Sequence, residues 1–257
     1  MEDKRIGIAL SGGGARGIAH IGVLQALEDH LIYPTSIAGA SAGSIVGALY
    51  ASGLRPKRIL EIFKANSIFK IVKLGLPMKG LTKLDGLKEQ LSNNISSDSF
   101  EGLQKKLFVS VCNLNSGQAE IIDSGDLFEI ILASCSIPLV FQPVTRNGIQ
   151  YVDGGLMLNL PVEPLRAISD YVIGVNVMPK VEVPIKEVDS IFDIAVRSFE
   201  LSLWNNTRVS QESCDCVIEP EALRNYNILN FSKTQEIYDI GYEAAMEKIP
   251  EILKLIL

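Results

Sequence analysis

The stretch RIGIALSGGGARGIAHIG, residues 5–22, constrains the fold more than any other part of the chain. Its opening apolar run has the unbroken character of a strand buried on both faces. Glycines at 12, 13, 14 and 17 then interrupt it, and Ile18, Ile21, Leu24 and Leu27 recur at helical spacing. A buried strand feeding a glycine turn and a helix is the unit from which parallel sheets are built. The same alternation continues. TSIAGA (35–40) reads as a second strand and a small-residue helix follows from near Ser41 to near Gly53. Pro56 opens another helix at its first turn. KLFVSVCNL and QAEIIDS flank the turn signal Asn115-Ser116-Gly117, which predicts a hairpin. Asp123 or Ser124 is placed to cap a helix running through Ala133. Strands follow at GIQYVDGG and DYVIGVNV, then long helices over about 190–211 and from a Ser232-x-x-Gln235 capping box onward. The pattern predicts an α/β fold with a largely parallel sheet. No repeat or linker divides the 257 residues, so a single domain over 1–257 is expected.

Charge and composition exclude several functions. A net charge of −6 opposes nucleic-acid binding, which rests on clustered Lys and Arg. No run of about 18 apolar residues suggests a spanning helix. The N-terminal MEDKRIGIAL lacks the core of a signal peptide, so a cytoplasmic protein is expected. Cys112, Cys135, Cys214 and Cys216 form no C-x-x-C pair and there are two histidines, so the cysteines read as buried free thiols, not zinc ligands. One segment reverses the overall charge: residues 63–84 carry Lys64, Lys70, Lys73, Lys79 and Lys83 and no acid until the segment ends. Such a basic, apolar stretch suits peripheral contact with an anionic membrane, or a cap over a site. Lysines snorkelling over core residues are the plainer alternative.

Gly12, Gly14 and Gly17 spell G-x-G-x-x-G, the fingerprint of a dinucleotide cradle. That reading also needs an acidic residue about 20 positions on, for the ribose hydroxyls. Between Asp29 and Glu61 there is none, and no Gly-Lys-Ser/Thr follows to make a P-loop. The second strand ends instead in Gly39-Ala40-Ser41-Ala42-Gly43, a G-x-S-x-G between strand and helix. A nucleophile on so sharp a turn needs small neighbours, and Ser41 has only Gly and Ala. Ser41 would also sit at a helix N-terminus, where the dipole favours an incipient alkoxide. Its base is not the usual one. His20 and His30 both precede Ser41 and none follows, which excludes the Ser–Asp/Glu–His order of α/β-hydrolases. His20 reads as a packed core residue and His30 as a helix terminus. Asp153, in Asp153-Gly154-Gly155, is the candidate carboxylate, although Asp-Gly is first of all a turn signal. Ser134 and Ser136 are rival nucleophiles, but Pro138 makes their position read as a helix end; Trp204 reads as core filling, and Ser67-x-x-Lys70 lacks companion motifs.

G-G-G-x-R-G at 12–17, G-x-S-x-G at 39–43 and D-G-G at 153–155, in that order, resemble the patatin-like phospholipase family. ASCSIP before the Asp-Gly-Gly and LNLP after it agree, and the resemblance extends over nearly the whole chain. One departure is Ser11, where plant members often carry Asp; this concerns loop anchoring. The resemblance implies a three-layer α/β/α fold and a serine acyl hydrolase acting on lipid or fatty-acyl esters through a Ser41–Asp153 dyad. It makes the glycine loop an oxyanion hole (Gly12, Gly13 and Gly14, with Arg16 fixing the loop) and leaves Gly17, Gly39, Gly43, Gly154 and Gly155 as supports. It implies neither a metal nor a cofactor. A CoA-type acyltransferase shares the nucleophile motif but usually needs a histidine base. A nucleotide- or lipid-binding module that keeps the loop without turnover is the non-enzymatic alternative.

Overall fold

The computed structural model describes residues 4–65, 84–185, 188–229 and 231–256. Eight strands form one sheet: β1 (Ile6–Leu10), β2 (Ser36–Ala40), β3 (Lys106–Asn113), β4 (Gln118–Ile122), β5 (Val144–Arg146), β6 (Ile149–Asp153), β7 (Tyr171–Val175) and β8 (Cys216–Ile218). Their order is β5-β6-β3-β2-β1-β7-β8, with β4 paired to β3. From β3 to β8 along this path every pairing is parallel, and β4, β5 and β6 add the antiparallel part. The helices are α1 (Ala19–Asp29), α2 (Ala42–Ala51), α3 (Pro56–Lys64), α4 (Asp85–Asn94), α5 (Leu127–Ser134), α6 (Glu163–Arg166), α7 (Ile191–Gln211) and α8 (Thr234–Ile256).

Strand alternation sorts the layers. Ile6, Ile8 and Leu10 of β1 join Ile37, Leu107, Val109 and Ile173 in the main core, packed against residues of α1, α2, α3, α5 and α8. Ala9, Ala38, Phe108 and Val172 face the other way, onto Leu160, Val162 and Leu165 around α6. The result is a three-layer α/β/α arrangement with both sheet faces covered, as buried parallel strands require.

The ends of elements differ from the sequence reading in instructive ways. Helix α5 begins at Leu127, later than Asp123 or Ser124. Its cap comes from a distant residue, Asp98, whose carboxylate accepts the Phe128 N–H at 2.6 Å, while Asp123 pairs with Lys106. Helix α8 begins at Thr234 after a 3₁₀ turn, and the Gln235 amide donates forward to Asp239. A capping box of Ser190 and Asp193 opens α7. Trp204 is half-buried, with Lys180 and Arg208 over its ring, and is not core filling. Cys112, Cys135 and Cys216 are buried free thiols; Cys214 is only partly covered. Most of the lysine-rich segment (66–83), with Ser67 and Lys70, lies outside the described residues. Among the described residues no helix is long and apolar enough to cross a membrane.

Candidate active site

Chain direction reverses across β1: β2 and β3 are added on one side of it, β7 and β8 on the other. In open parallel sheets that switch opens a crevice at the carboxyl ends of the strands. Both glycine motifs emerge there, the loop from β1 and the G-x-S-x-G from β2.

Ser41 is the N-cap of α2 with φ 49° and ψ −124°. A non-glycine residue there costs of the order of 1–3 kcal/mol and persists only where its surroundings enforce it. They do. The Ser41 N–H donates to the Ser134 hydroxyl at 2.8 Å, and that hydroxyl donates to the Ser110 carbonyl at 2.8 Å. The Ser41 carbonyl accepts from the Ser44 N–H at 2.9 Å and the Ser44 hydroxyl at 2.7 Å. On the next turn, a Cβ on Gly43 would lie 2.2 Å from the Leu10 carbonyl oxygen, so α2 can start this close to β1 only with glycine. Ser134, a rival nucleophile on sequence grounds, is fully buried with its proton committed to Ser110; it holds the elbow.

Asp153 ends β6, opposite Val111 of β3, and its N–H donates to the Ser136 carbonyl at 3.0 Å. The residue is 1% exposed. Oδ1 accepts the Gly155 N–H at 2.8 Å. Oδ2 is buried without a formed hydrogen bond, and the Ser41 hydroxyl is near enough to favour the ionised form. Burial dominates over both of these contacts and raises the carboxyl from 3.8 to about 7. A proton-accepting oxygen at neutral pH therefore stands beside a strained serine.

The glycine loop divides into an occupied and an open part. The Gly12 N–H, counted on sequence grounds among the oxyanion donors, is taken by Asn159: it donates to Oδ1 at 3.0 Å and to the carbonyl at 3.3 Å. The Gly12 N–H is therefore already engaged within the fold. The N–H groups of Gly13 and Gly14 have no partner among the described residues. Gly14 has φ +55°, and a Cβ on it would meet the Ile228 carbonyl oxygen at 2.2 Å. The loop is anchored at both ends. At its start Ser11 donates its N–H to Val175, accepts the Val177 N–H on its hydroxyl at 3.0 Å, and accepts from His20 Nε2 on its carbonyl at 2.8 Å. His20 is thus a core residue, as expected, but one that grips the loop; burial lowers its pKa to about 4 and leaves Nδ1 without a partner. At the far end Arg16, almost fully buried, donates from Nε to the Tyr226 carbonyl at 2.7 Å and from Nη1 to Met178 Sδ at 3.7 Å. Arg16 thereby pins the loop to the segment after β8. Beside it lies a recess of about 420 Å³ lined by Arg16, Met178, Lys180, Arg197 and Trp204, with neither Ser41 nor Asp153 on its wall.

The Patatin family model, described as patatin-like phospholipase, matches residues 8–166. The chain belongs to the patatin-like phospholipase family. It is 27% identical to lysophospholipase NTE1 of Meyerozyma guilliermondii, over 96% of this chain and 19% of that protein. With lysophospholipase NTE1 of Yarrowia lipolytica it shares 31% identity over 65% of this chain and 12% of the relative. The chain thus spans less than a fifth of the curated relatives it matches. Among solved structures, VipD from Legionella pneumophila superposes with a TM-score of 0.57 at 15% identity, covering 97% of this chain and 67% of that one. Human GIVD cytosolic phospholipase A2, in complex with methyl gamma-linolenyl fluorophosphonate and terbium chloride, superposes with a TM-score of 0.53 at 12% identity, covering 99% and 59%. These two share the fold.

Proposed function

We propose that the chain is a serine-dependent lipid acyl hydrolase working through a Ser41–Asp153 dyad. The observation that carries the reading is the buried Asp153, its pKa raised to about 7 and its Oδ2 unengaged, next to a serine on a strained strand-to-helix turn. Asp153 takes the hydroxyl proton as Ser41 Oγ bonds to the ester carbonyl carbon. The carbonyl oxygen becomes an oxyanion facing the free N–H groups of Gly13 and Gly14. When the C–O bond to the leaving alcohol breaks, the alcohol departs with the proton from Asp153. Water then attacks the acyl-enzyme, again giving its proton to Asp153, which returns it to Ser41 as the fatty acid leaves. Each proton taken is given back, so the dyad closes its cycle with no further base.

Membership of the family and relatives named as lysophospholipases favour a lysophospholipid or another fatty-acyl ester as substrate. The nucleotide-binding alternative is disfavoured, because β2 ends at Ala40 and leads into Ser41 where a dinucleotide fold needs an acid; a lipid-binding module without turnover is the outcome the labelling test below would favour if Ser41 gives no adduct. Intact-mass analysis after exposure to a fluorophosphonate tests the reading. One adduct mapped to Ser41 and absent from Ser41→Ala is expected. Folded protein that gives no adduct, with detergent or liposomes present as well, refutes it.

A further inference from the structure

Asn159 lies outside the three motifs, yet both of its amide atoms are spent on them. It is fully buried. Its Oδ1 accepts the Gly12 N–H at 3.0 Å, and Nδ2 reaches back to the Gly12 carbonyl at 3.4 Å. The same Oδ1 is wedged between the two glycine-rich turns: it lies 2.5 Å from where a Cβ on Gly12 would stand and 2.7 Å from that of Gly155. On the Ser41 side, the Gly12 Cβ position is 3.0 Å from Ser41 Cβ. Gly12 is therefore confined between Asn159 and the nucleophile.

The amide is itself held from α7. Nδ2 donates to Thr207 Oγ1 at 2.8 Å, and Thr207 sends its own proton to the Leu203 carbonyl at 2.7 Å. With that proton committed, Thr207 presents a lone pair to Asn159, which fixes the amide with Nδ2 toward α7 and Oδ1 toward Gly12. One residue back, Asn206 Oδ1 accepts the Asn159 N–H at 2.8 Å while its Nδ2 donates to the Gly155 carbonyl at 2.8 Å. A single turn of α7 thus ties the glycine loop to the turn that carries Asp153.

We infer that Asn159, backed by Thr207 and Asn206, is a positioning residue that sets the oxyanion donors relative to the Ser41–Asp153 pair. The inference rests on the hydrolase reading above. In a trans peptide the Gly12 C=O and the Gly13 N–H point in opposite directions. Holding the Gly12 carbonyl on Asn159 therefore aims the Gly13 N–H away from the brace. Releasing that peptide lets it rotate, and a donor displaced by about 1 Å costs of the order of 100-fold in rate.

Thr207 provides the test, because it touches neither the loop nor the dyad and Thr→Val keeps its shape. Wild type, Thr207→Ser, Thr207→Val, Asn159→Ala and the double variant are compared by fluorophosphonate inactivation rate, by kcat and KM on a short p-nitrophenyl ester, and by thermal melting. Thr207→Ser keeps the acceptor and is expected within about 2-fold of wild type. Thr207→Val and Asn159→Ala are expected to lose about 10- to 100-fold in kcat and in inactivation rate with KM little changed. The double variant should be no worse than Asn159→Ala alone, since Thr207 acts through Asn159. If Asn159→Ala does not fold, the Val and Ser variants of Thr207 decide. A folded Thr207→Val with a lowered melting temperature but wild-type kcat and inactivation rate overturns the inference and leaves the hydrolase standing. Folded wild type with no Ser41 adduct overturns both.

Discussion

Asp153→Asn separates catalysis from stability at one atom. Burial holds the carboxyl near pH 7, so the fraction able to accept a proton is about 1% at pH 5 and about 90% at pH 8. The rate at which a fluorophosphonate labels Ser41 should accordingly rise about 90-fold from pH 5 to pH 8, with a tenfold slope per unit below 7 and a plateau above. Stability must move the other way. A carboxyl whose pKa is raised on folding binds its proton more tightly in the native state, so stability falls as pH rises from 3.8 to 7. The penalty reaches about 4 kcal/mol at pH 8 and is about 2 kcal/mol at pH 5. Asparagine removes it. Asp153→Asn should therefore melt higher than wild type at pH 8, and its advantage should grow by about 2 kcal/mol, some 4–8 °C, between pH 5 and pH 8. Labelling of this variant should be slow and nearly flat with pH. Calorimetry at both pH values and mass-resolved labelling kinetics read the two effects in one preparation. A wild-type labelling rate that is flat between pH 5 and 8, or an advantage for the variant that shrinks toward pH 8, would falsify the assignment of Asp153 as a buried base near neutrality.

Three further outcomes follow from the same contacts. Ser134→Ala removes the acceptor of the Ser41 N–H and the donor to Ser110; labelling should slow by at least tenfold and melting should drop by an amount equivalent to about 1–3 kcal/mol, read in the same two assays. Gly43→Ala drives a methyl group to 2.2 Å from the Leu10 carbonyl, so little soluble, labelled protein should be recovered, whereas Gly117→Ala, open on all sides, should cost only the strain of φ +69°. His20→Gln should gain stability relative to wild type as the pH falls from 6.5 toward 4, read by melting at each pH. The wild-type imidazole, lowered to about 4, loses about 2 kcal/mol between pH 6.5 and pH 5 as the unfolded chain gains protons the native state refuses.

The features legible in the sequence are those written by short-range rules. An apolar run, glycines and helical periodicity located β1, the loop and α1, and Asn-Ser-Gly located the β3–β4 hairpin, where Gly117 has φ +69°. Ser41 stood out because an elbow requires small neighbours, and Asp153 because no histidine follows. What escaped depends on partners far along the chain. Asp98 caps α5 across 30 positions and Asn159 caps the Gly12 N–H across 147, so neither leaves a local pattern. That second contact is also what engages the Gly12 N–H. Asn159 and Ser134 did lie in noticed strings, LNLP and ASCSIP, but the strings identify a family and not the contact each residue makes. Asn206 and Thr207, inside a regular helix, carried no signal at all.

Asp153 and His20, both buried, act on stability with opposite sign. Protonation of Asp153 favours the native state as pH falls from 7 toward 3.8; His20, which must stay neutral to remain buried, disfavours it as pH falls from 6.5 toward 4. Across the shared interval the contributions largely cancel, so the wild-type melting temperature should vary less with pH than that of either single variant. Under the proposed dyad, the same desolvation that weakens the fold at neutral pH is what would let Asp153 serve as the base. At its ordinary value near 3.8 it would be a poor acceptor for a serine proton; near 7 about three further pH units of driving force are available, or about 4 kcal/mol, matching the stability lost. A histidine would supply that basicity without burial. In the proposed dyad the rigid surroundings of Ser41 and Asp153 supply it instead, so the hydrogen bonds that hold the elbow and the loop would matter to the chemistry as much as to the fold.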